Sequence, residues 1–302
     1  KIVDAENQAR PDRRKIEYLV ASRYLKEARA FGIPEQRAAD GRYLLGKSLI
    51  ESGQFDEGLE ALDELLSEKL PADSPLISKA QRLLADTCLS MPNPKLDKAL
   101  SYNLIWSSNP KLTDSERSNV LLQRAECLSR LQRFDEARQT IDKIPTDATM
   151  LASVALMRGK IDLDEIGAAL QRIAPADRGD VIQESTSKLT EAVASLQKAQ
   201  ELDEQKSPIT RESSYHLGRG LHWQGQTDAA LKQFARTRQF YDQTFEGFAA
   251  SLAEADLLRE NGDIEGAVIG YRRVLESFGA IPVYRSYVLP LPQVHDRLMA
   301  AL

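Results

Sequence analysis

Cysteine, histidine and aromatic side chains are scarce in this chain of 302 residues, which holds two Cys, three His and 6% Phe, Trp and Tyr. Cys88 and Cys127 are too few for a disulfide framework and lack the paired spacing of a zinc site. Both stand on apolar-periodic helical stretches and read as buried thiols. Alternating β-branched runs are also nearly absent, with IPVYRSYVL (281–289) the brief exception, which argues against a sheet. No run approaches the ~20 apolar residues that cross a bilayer, so this segment does not itself insert into a membrane. A basic excess is missing too: Lys and Arg number 40 against 45 Asp and Glu, for a net charge of −5. The long-range attraction for phosphate on which nucleic-acid binding rests is therefore absent, and a nucleic-acid partner is not expected.

What the chain has is itself, several times over. GQFDEGLEAL from Gly53, QRFDEARQTI from Gln132, GQTDAALKQF from Gly225 and GDIEGAVIGY from Gly262 align with one another. Across each of these turns a small residue stands twelve positions before a second: Gly46 and Gly58, Ala125 and Ala137, Gly218 and Ala230, Ala255 and Ala267. A looser copy pairs Ala85 with Ala99 across the longer turn MPNPKLD. Small residues on two antiparallel helices let their backbones approach, and Gly or a polar residue between them turns the chain. Apolar residues flank them at helical spacing, as Leu45, Leu49, Phe55, Leu59 and Leu62 do in the first clear copy. Asp56, Asp135 and Asp228 fall in the first turn of the second helix, where the helix dipole favours negative charge.

This pattern of small residue, turn Gly, hydrophobic position and Ala resembles the tetratricopeptide repeat, most closely in LLGKSLIESGQFDEGLEAL from Leu44. The resemblance implies an all-α, right-handed superhelical solenoid of stacked hairpins, because each hairpin leaves an apolar face that only a neighbour can cover. One departure stands out. The third small position of the family, late in the second helix, holds Leu65, Trp106, Ile144, Thr237 and Val274 here. Trp106 is expected in the core.

The repeats fall at about 14–34, 37–70, 78–110, 117–145, 148–204, 210–240 and 246–278, read as one solenoid over 1–302 with a terminal or truncated helix at 290–302. First small positions step by 39, 40, 34, 59 and 37, against roughly 34 in the simple repeat. The 59-residue step reads as one hairpin over 148–204 with both helices lengthened to about 24 residues, ~36 Å each, and projecting from the array. The alternative is a break near Asp162 and an inserted helix. Lys1 and Ala301-Leu302 read as cut ends, which leaves the compartment open between the cytoplasm and a periplasmic or membrane-anchored setting.

Catalytic constellations are not found. His216 and His222 are six apart, on different helix faces, and His295 stands alone. Gly218-Arg-Gly220 and Gly159 lie within helical repeats and follow no strand, so they cradle no phosphate. Acidic pairs such as Asp56-Glu57 sit at helix starts, where capping accounts for them. No cofactor, metal or catalytic residue is expected.

The resemblance directs attention to the concave side lined by first helices. Its groove positions would be Tyr43, Lys47 and Ile50, then Arg82, Asp86 and Leu89, then Leu122, Glu126 and Ser129. Further along come Tyr215, Arg219, His222 and Trp223, then Leu252, Asp256 and Arg259. The family's clamp for an acidic chaperone tail needs paired Asn and Lys positions, and only Lys47 fits one. Tyr, Trp and Arg are enriched at binding hot spots, which singles out the cluster at 215–223; a repeat aromatic packed against its neighbour is the competing reading. The expected function is a non-enzymatic scaffold or adaptor that takes a protein or peptide on this face. A self-assembling structural element is the alternative and a helical-array enzyme the third reading, with the oligomeric state open.

Overall fold

One backbone turn closes four hairpins, and it falls where the aligned sequence copies begin. Gly53, Gln132, Gly225 and Gly262 adopt φ of 90°, 60°, 74° and 83°. The next N–H reaches back over the helix end: Gln54 N donates to Leu49 O (2.8 Å), Arg133 N to Leu128 O (2.8 Å), Gln226 N to Leu221 O (3.0 Å) and Asp263 N to Leu258 O (2.9 Å). This left-handed closure satisfies carbonyls that a helix C-terminus leaves without partners and lets a new helix start almost at once.

The computed structural model describes residues 11–68, 70–71, 74–145, 150–174, 177–203 and 207–301. Among these, fifteen α-helices and no strand are found. They are α1 (Pro11–Phe31), α2 (Glu35–Glu51), α3 (Phe55–Ser67), α4 (Pro75–Ser90), α5 (Leu96–Ser107), α6 (Asp114–Arg130), α7 (Phe134–Ile141), α8 (Leu151–Gln171), α9 (Arg178–Glu184), α10 (Thr186–Leu202), α11 (Pro208–Trp223), α12 (Thr227–Phe240), α13 (Phe245–Glu260), α14 (Ile264–Gly279) and α15 (Leu291–Met299). Helices α4 and α11 begin alike, with Ser74 or Ser207 capping through its hydroxyl and Pro at the first helical position.

The chain forms two compact units. In the first, α1 to α5 pack in sequence, α2 also lies against α4, and the segment Gly279–Leu291 joins them. Arg285 pairs with Glu51 at 2.9 Å, and Ser286 N donates to Ser90 O at 2.8 Å. The small-residue rule holds literally here. A Cβ on Gly58 would stand 3.0 Å from Gly46 O and 2.6 Å from Ile50 Cγ1, so α2 and α3 touch backbone to side chain at this point. Trp106 is buried, and its Nε1 donates to Ser78 Oγ at 2.9 Å. Leu65, Ile144, Thr237 and Val274 are buried likewise, so in both units larger side chains fill the room that the family gives to a third alanine. Cys88 and Cys127 are both buried thiols.

The second unit contains α6 to α14 up to Phe278 and the chain from Pro292 onward. Its first helices α6, α8, α11 and α13 pack in a row, each against the next, with second helices α7, α10 and α12 behind them. The long step is resolved by its helices. Helix α8 runs unbroken for 21 residues across Asp162, whereas the return leg is divided at Ser185 into α9 and α10. The small partner of Gly159 is Ala192 on α10, because a Cβ on Gly159 would come 2.9 Å from Ala192 O. The extra length of α8 does not project. Burial continues to Ile166 and Leu170, and Trp223 of α11 packs over Gly167, so the added turns are spent on contact with α11. Of the hairpin tip, Asp177 to Asp180 are exposed, while residues 175–176 lie outside the described residues.

Candidate partner-binding site

The row α6, α8, α11, α13 carries a chain of charged side chains along one face. Lys160 on α8 is nearly fully buried and pairs with Glu126 of α6 at 2.6 Å and with Glu212 of α11. Burial opposes its charge, but the fields and hydrogen bonds of the two glutamates outweigh that cost and hold the ammonium protonated well above its ordinary range. Glu212 is correspondingly held ionised: burial works against it, and Lys160 and His216 prevail.

His216, one turn on, is buried, and its pKa is pushed down to about 4, first by burial and then by the cations Arg219 and Lys160 against the pull of Glu212. Arg219 donates to its Nδ1 at 3.0 Å, which leaves the proton of the neutral ring on Nε2, 3.8 Å from Glu212 Oε1. Arg219 also pairs with Asp164 of α8 at 3.4 Å, and Asp164 accepts from Ser129 of α6 at 3.2 Å. Three neighbouring hairpins are thus tied through one polar network.

Beyond Arg219 the face opens. Its guanidinium lies 5.1 Å from the Trp223 ring centroid, in cation–π range. A cleft of about 200 Å³ is walled by Tyr215, Arg219, His222, Trp223, Asp256 and Arg297, with Phe234 at its floor. Tyr215 is buried and supports the cleft from beneath; Arg219, His222, Trp223, Asp256 and Arg259 are half-buried. His222 Nε2 sits 3.4 Å from Glu260 Oε2. Both Asp256 carboxylate oxygens are engaged, one accepting from Tyr271 at 2.6 Å and the other from Arg297 at 2.7 Å. Arg259 donates to the Ala300 carbonyl.

The family-based register therefore brings Tyr215, Arg219, His222, Trp223 and Asp256 to one cleft, with Arg259 close by on α13. In the first unit, Tyr43 and Lys47 on α2 and Asp86 on α4 are half-buried, and Arg82 is exposed. Ile50, Leu89 and Leu252, expected on the groove, are fully buried, as are Glu126 and Ser129 nearly so. The physical reason is packing on both sides of a first helix: Ile50 lies against Gly58 of its own hairpin, whereas Glu126 and Ser129 meet Lys160 and Asp164 of the next first helix. Lys160, Glu212 and Arg297 were not anticipated. Lys160 stands between Met157 and Ile161, which carry the apolar spacing of α8, and that neighbourhood was the available signal.

First helices in a row, backed by second helices and closed by repeated left-handed turns, define a helical-repeat protein. The family model described as tetratricopeptide repeat matches residues 43–106, so that stretch of the chain is similar to the repeat. No curated protein matches it. Among solved structures it is similar to the apo form of RapI, at a TM-score of 0.51 and 13% identity over 86% of this chain and 80% of that one; this likeness shows the fold. A MamA RS-1 double mutant (TM-score 0.35, 14% identity, 68% of this chain and 96% of that) and a putative kinesin light chain from Podosopora anserina with nearly identical TPR-like repeats (0.30, 15%, 81% and 97%) also match. The repeat and its architecture support a protein-interaction helical-repeat module. Among the described residues, no helix is long and apolar enough to cross a membrane.

Proposed function

We infer that the chain is a non-enzymatic scaffold or adaptor that takes a peptide or partner subunit on the face of its first helices, with the cleft at Tyr215, Arg219, His222 and Trp223 as the principal contact. The observation that carries this reading is the composition of the cleft. A cation stacked on an indole, two further basic groups, two carboxylates and a buried aromatic floor line one opening, the mixture that recognises a peptide with an apolar anchor and charges of both signs. In the first unit taken by itself, Tyr43, Lys47, Arg82 and Asp86 are the proposed contacts on α2 and α4. Selection of displayed peptides on the full chain tests it. Peptides enriched on the parent should lose on the order of 10- to 100-fold in affinity on Trp223→Ala and Arg219→Ala. Equal binding by both variants, at unchanged helical content, would sink the reading.

A second reading, self-assembly, is favoured by one feature. Helix α14 exposes Ile264, Val268 and Leu275 on one face and Ile269 beside it, each more than half accessible.

A further inference from the structure

The cleft already has an occupant on one side. From Pro292 onward helix α15 lies in the second unit with α11 and α13, and it contributes Arg297 to the cleft wall. Arg297 reaches the Asp256 carboxylate at 2.7 Å and the Tyr215 hydroxyl besides. Three residues earlier, Val294 is 2% exposed. One residue past the helix, the Ala300 carbonyl accepts from Arg259. The inward pattern of α15 is thus Val294, Arg297 and Leu298, at helical spacing, while Gln293, His295, Asp296 and Met299 point to solvent.

Two features set α15 apart from a further repeat helix. It follows the irregular stretch 280–290 rather than a tight left-handed turn. Its apolar contact is also small, since Val294 is the one buried residue among its nine. A short helix with one apolar anchor and one ion pair is held chiefly by being tethered, which raises its local concentration without new contacts. The groove, by contrast, is equipped for more than α15 uses: Trp223, His222 and Glu260 line the same cleft and take no contact from Arg297's helix in the hydrogen-bond and ion-pair pattern.

We propose that the face of α11 and α13 recognises an amphipathic helix bearing an arginine three residues after an aliphatic side chain, and that α15 is a built-in occupant which an external helix of this pattern displaces. The proposal rests on the reading of this face as partner-binding and names the partner's chemistry. The aliphatic residue fills the site of Val294, the arginine meets Asp256 and Tyr215, and the helix C-terminus offers a carbonyl to Arg259, as α15 does now.

The test uses the full chain and, as probe, a fluorescent peptide of residues 290–302. In the parent, α15 competes in cis and the peptide binds weakly. In the double variant Val294→Asp with Arg297→Ala the native-sequence peptide should bind at least tenfold more tightly, and adding Asp256→Asn to that background should remove the gain. A peptide with Arg297→Ala should bind the double variant at least tenfold more weakly than the native one. Hydrogen exchange at 295–299 in the parent, measured with and without excess peptide, provides a readout independent of the variants' stability; acceleration is expected as α15 is displaced. No gain in the double variant together with unchanged exchange would overturn the proposal, as would equal binding of the two peptides. If displayed peptides meanwhile bind through Trp223 with the same affinity in parent and double variant, the partner-binding face stands and the occupancy by α15 falls.

Discussion

Gln132 occupies the one repeat turn in which a side chain takes the left-handed conformation, φ 60°, that Gly53, Gly225 and Gly262 take at the equivalent positions. A Cβ there costs roughly 1 kcal/mol against glycine. Gln132→Gly should therefore raise the stability of the chain by up to about 1 kcal/mol, less what is lost with its contact to Arg172, and Gly225→Ala should lower it by about 1–2 kcal/mol; urea denaturation followed by circular dichroism reads both. His216 supplies a prediction of a different kind. Its folded pKa of about 4 lies below the ordinary 6.5, so between those values the unfolded chain binds a proton that the folded chain refuses, and stability falls as the pH drops through this window. The loss approaches about 3 kcal/mol near pH 4. The groups that face it are Glu212, Lys160 and Arg219, and of these Glu212, held ionised, titrates lower, so the upper part of the window belongs to the imidazole. His216→Gln should flatten the stability profile between pH 6.5 and 4.5; an unchanged slope there would place the titration elsewhere.

At the scale of the element, the row of first helices is fastened by Lys160 between Glu126 and Glu212. Removing one partner of a buried pair strands the others without a counter-charge, which typically costs about 3–5 kcal/mol. Lys160→Met should be destabilised by that order at pH 7. Combining it with Glu126→Gln and Glu212→Gln should recover much of the loss, because no uncompensated charge then remains; full additivity of the three would show that the groups do not act as a unit. This network also marks where the sequence stopped being legible. Hairpins, turns and the small-residue contacts at Gly46 and Gly58 could be read because each is local and repeats at a fixed spacing. The match of Gly159 with Ala192 could not, since its distance along the chain depends on a loop that no periodicity governs. The groove register carried over from the family reached Arg219, His222, Trp223 and Asp256. It also included Ile50, Leu89 and Leu252, which are buried; for Ile50 the cause is the close approach of α3 at Gly58, which a helical period does not reveal. Arg297 was invisible for a plainer reason. It comes from a helix outside the repeat pattern, and only the fold brings it to Asp256.

At the scale of the whole molecule, the question is what the outer face of α14 does. Hairpin arrays cover the apolar side of each second helix with the next hairpin, and here Ile264, Val268, Ile269 and Leu275 are 54–59% exposed. Scattered apolar residues on a surface need no account, but Ile264, Val268 and Leu275 lie within about 40° of one another round the helix and form a stripe, with Ile269 on the far side of Glu265 and Arg272. The self-assembly reading puts a second copy of the chain on this face, and one register is distinctive. When two α14 helices pack antiparallel about a two-fold axis between Val268 and Ile269, Glu265 of each copy stands opposite Arg272 of the other, and both side chains are exposed and lie between the stripe and Ile269. The contact is limited to one helix per protomer, below the ~800 Å² per partner of a standard stable interface, so the association should be weak and reversible. Sedimentation velocity from low to high micromolar concentration should show the mass rising toward a dimer, with Val268→Glu restoring the monomer and Arg272→Glu weakening the dimer. Glu265→Arg added to Arg272→Glu should restore it, since the swap rebuilds both pairs in reverse. A mass that does not change with concentration would exclude self-association through this face, and rescue failing in the swapped variant would exclude the antiparallel register even if a dimer forms.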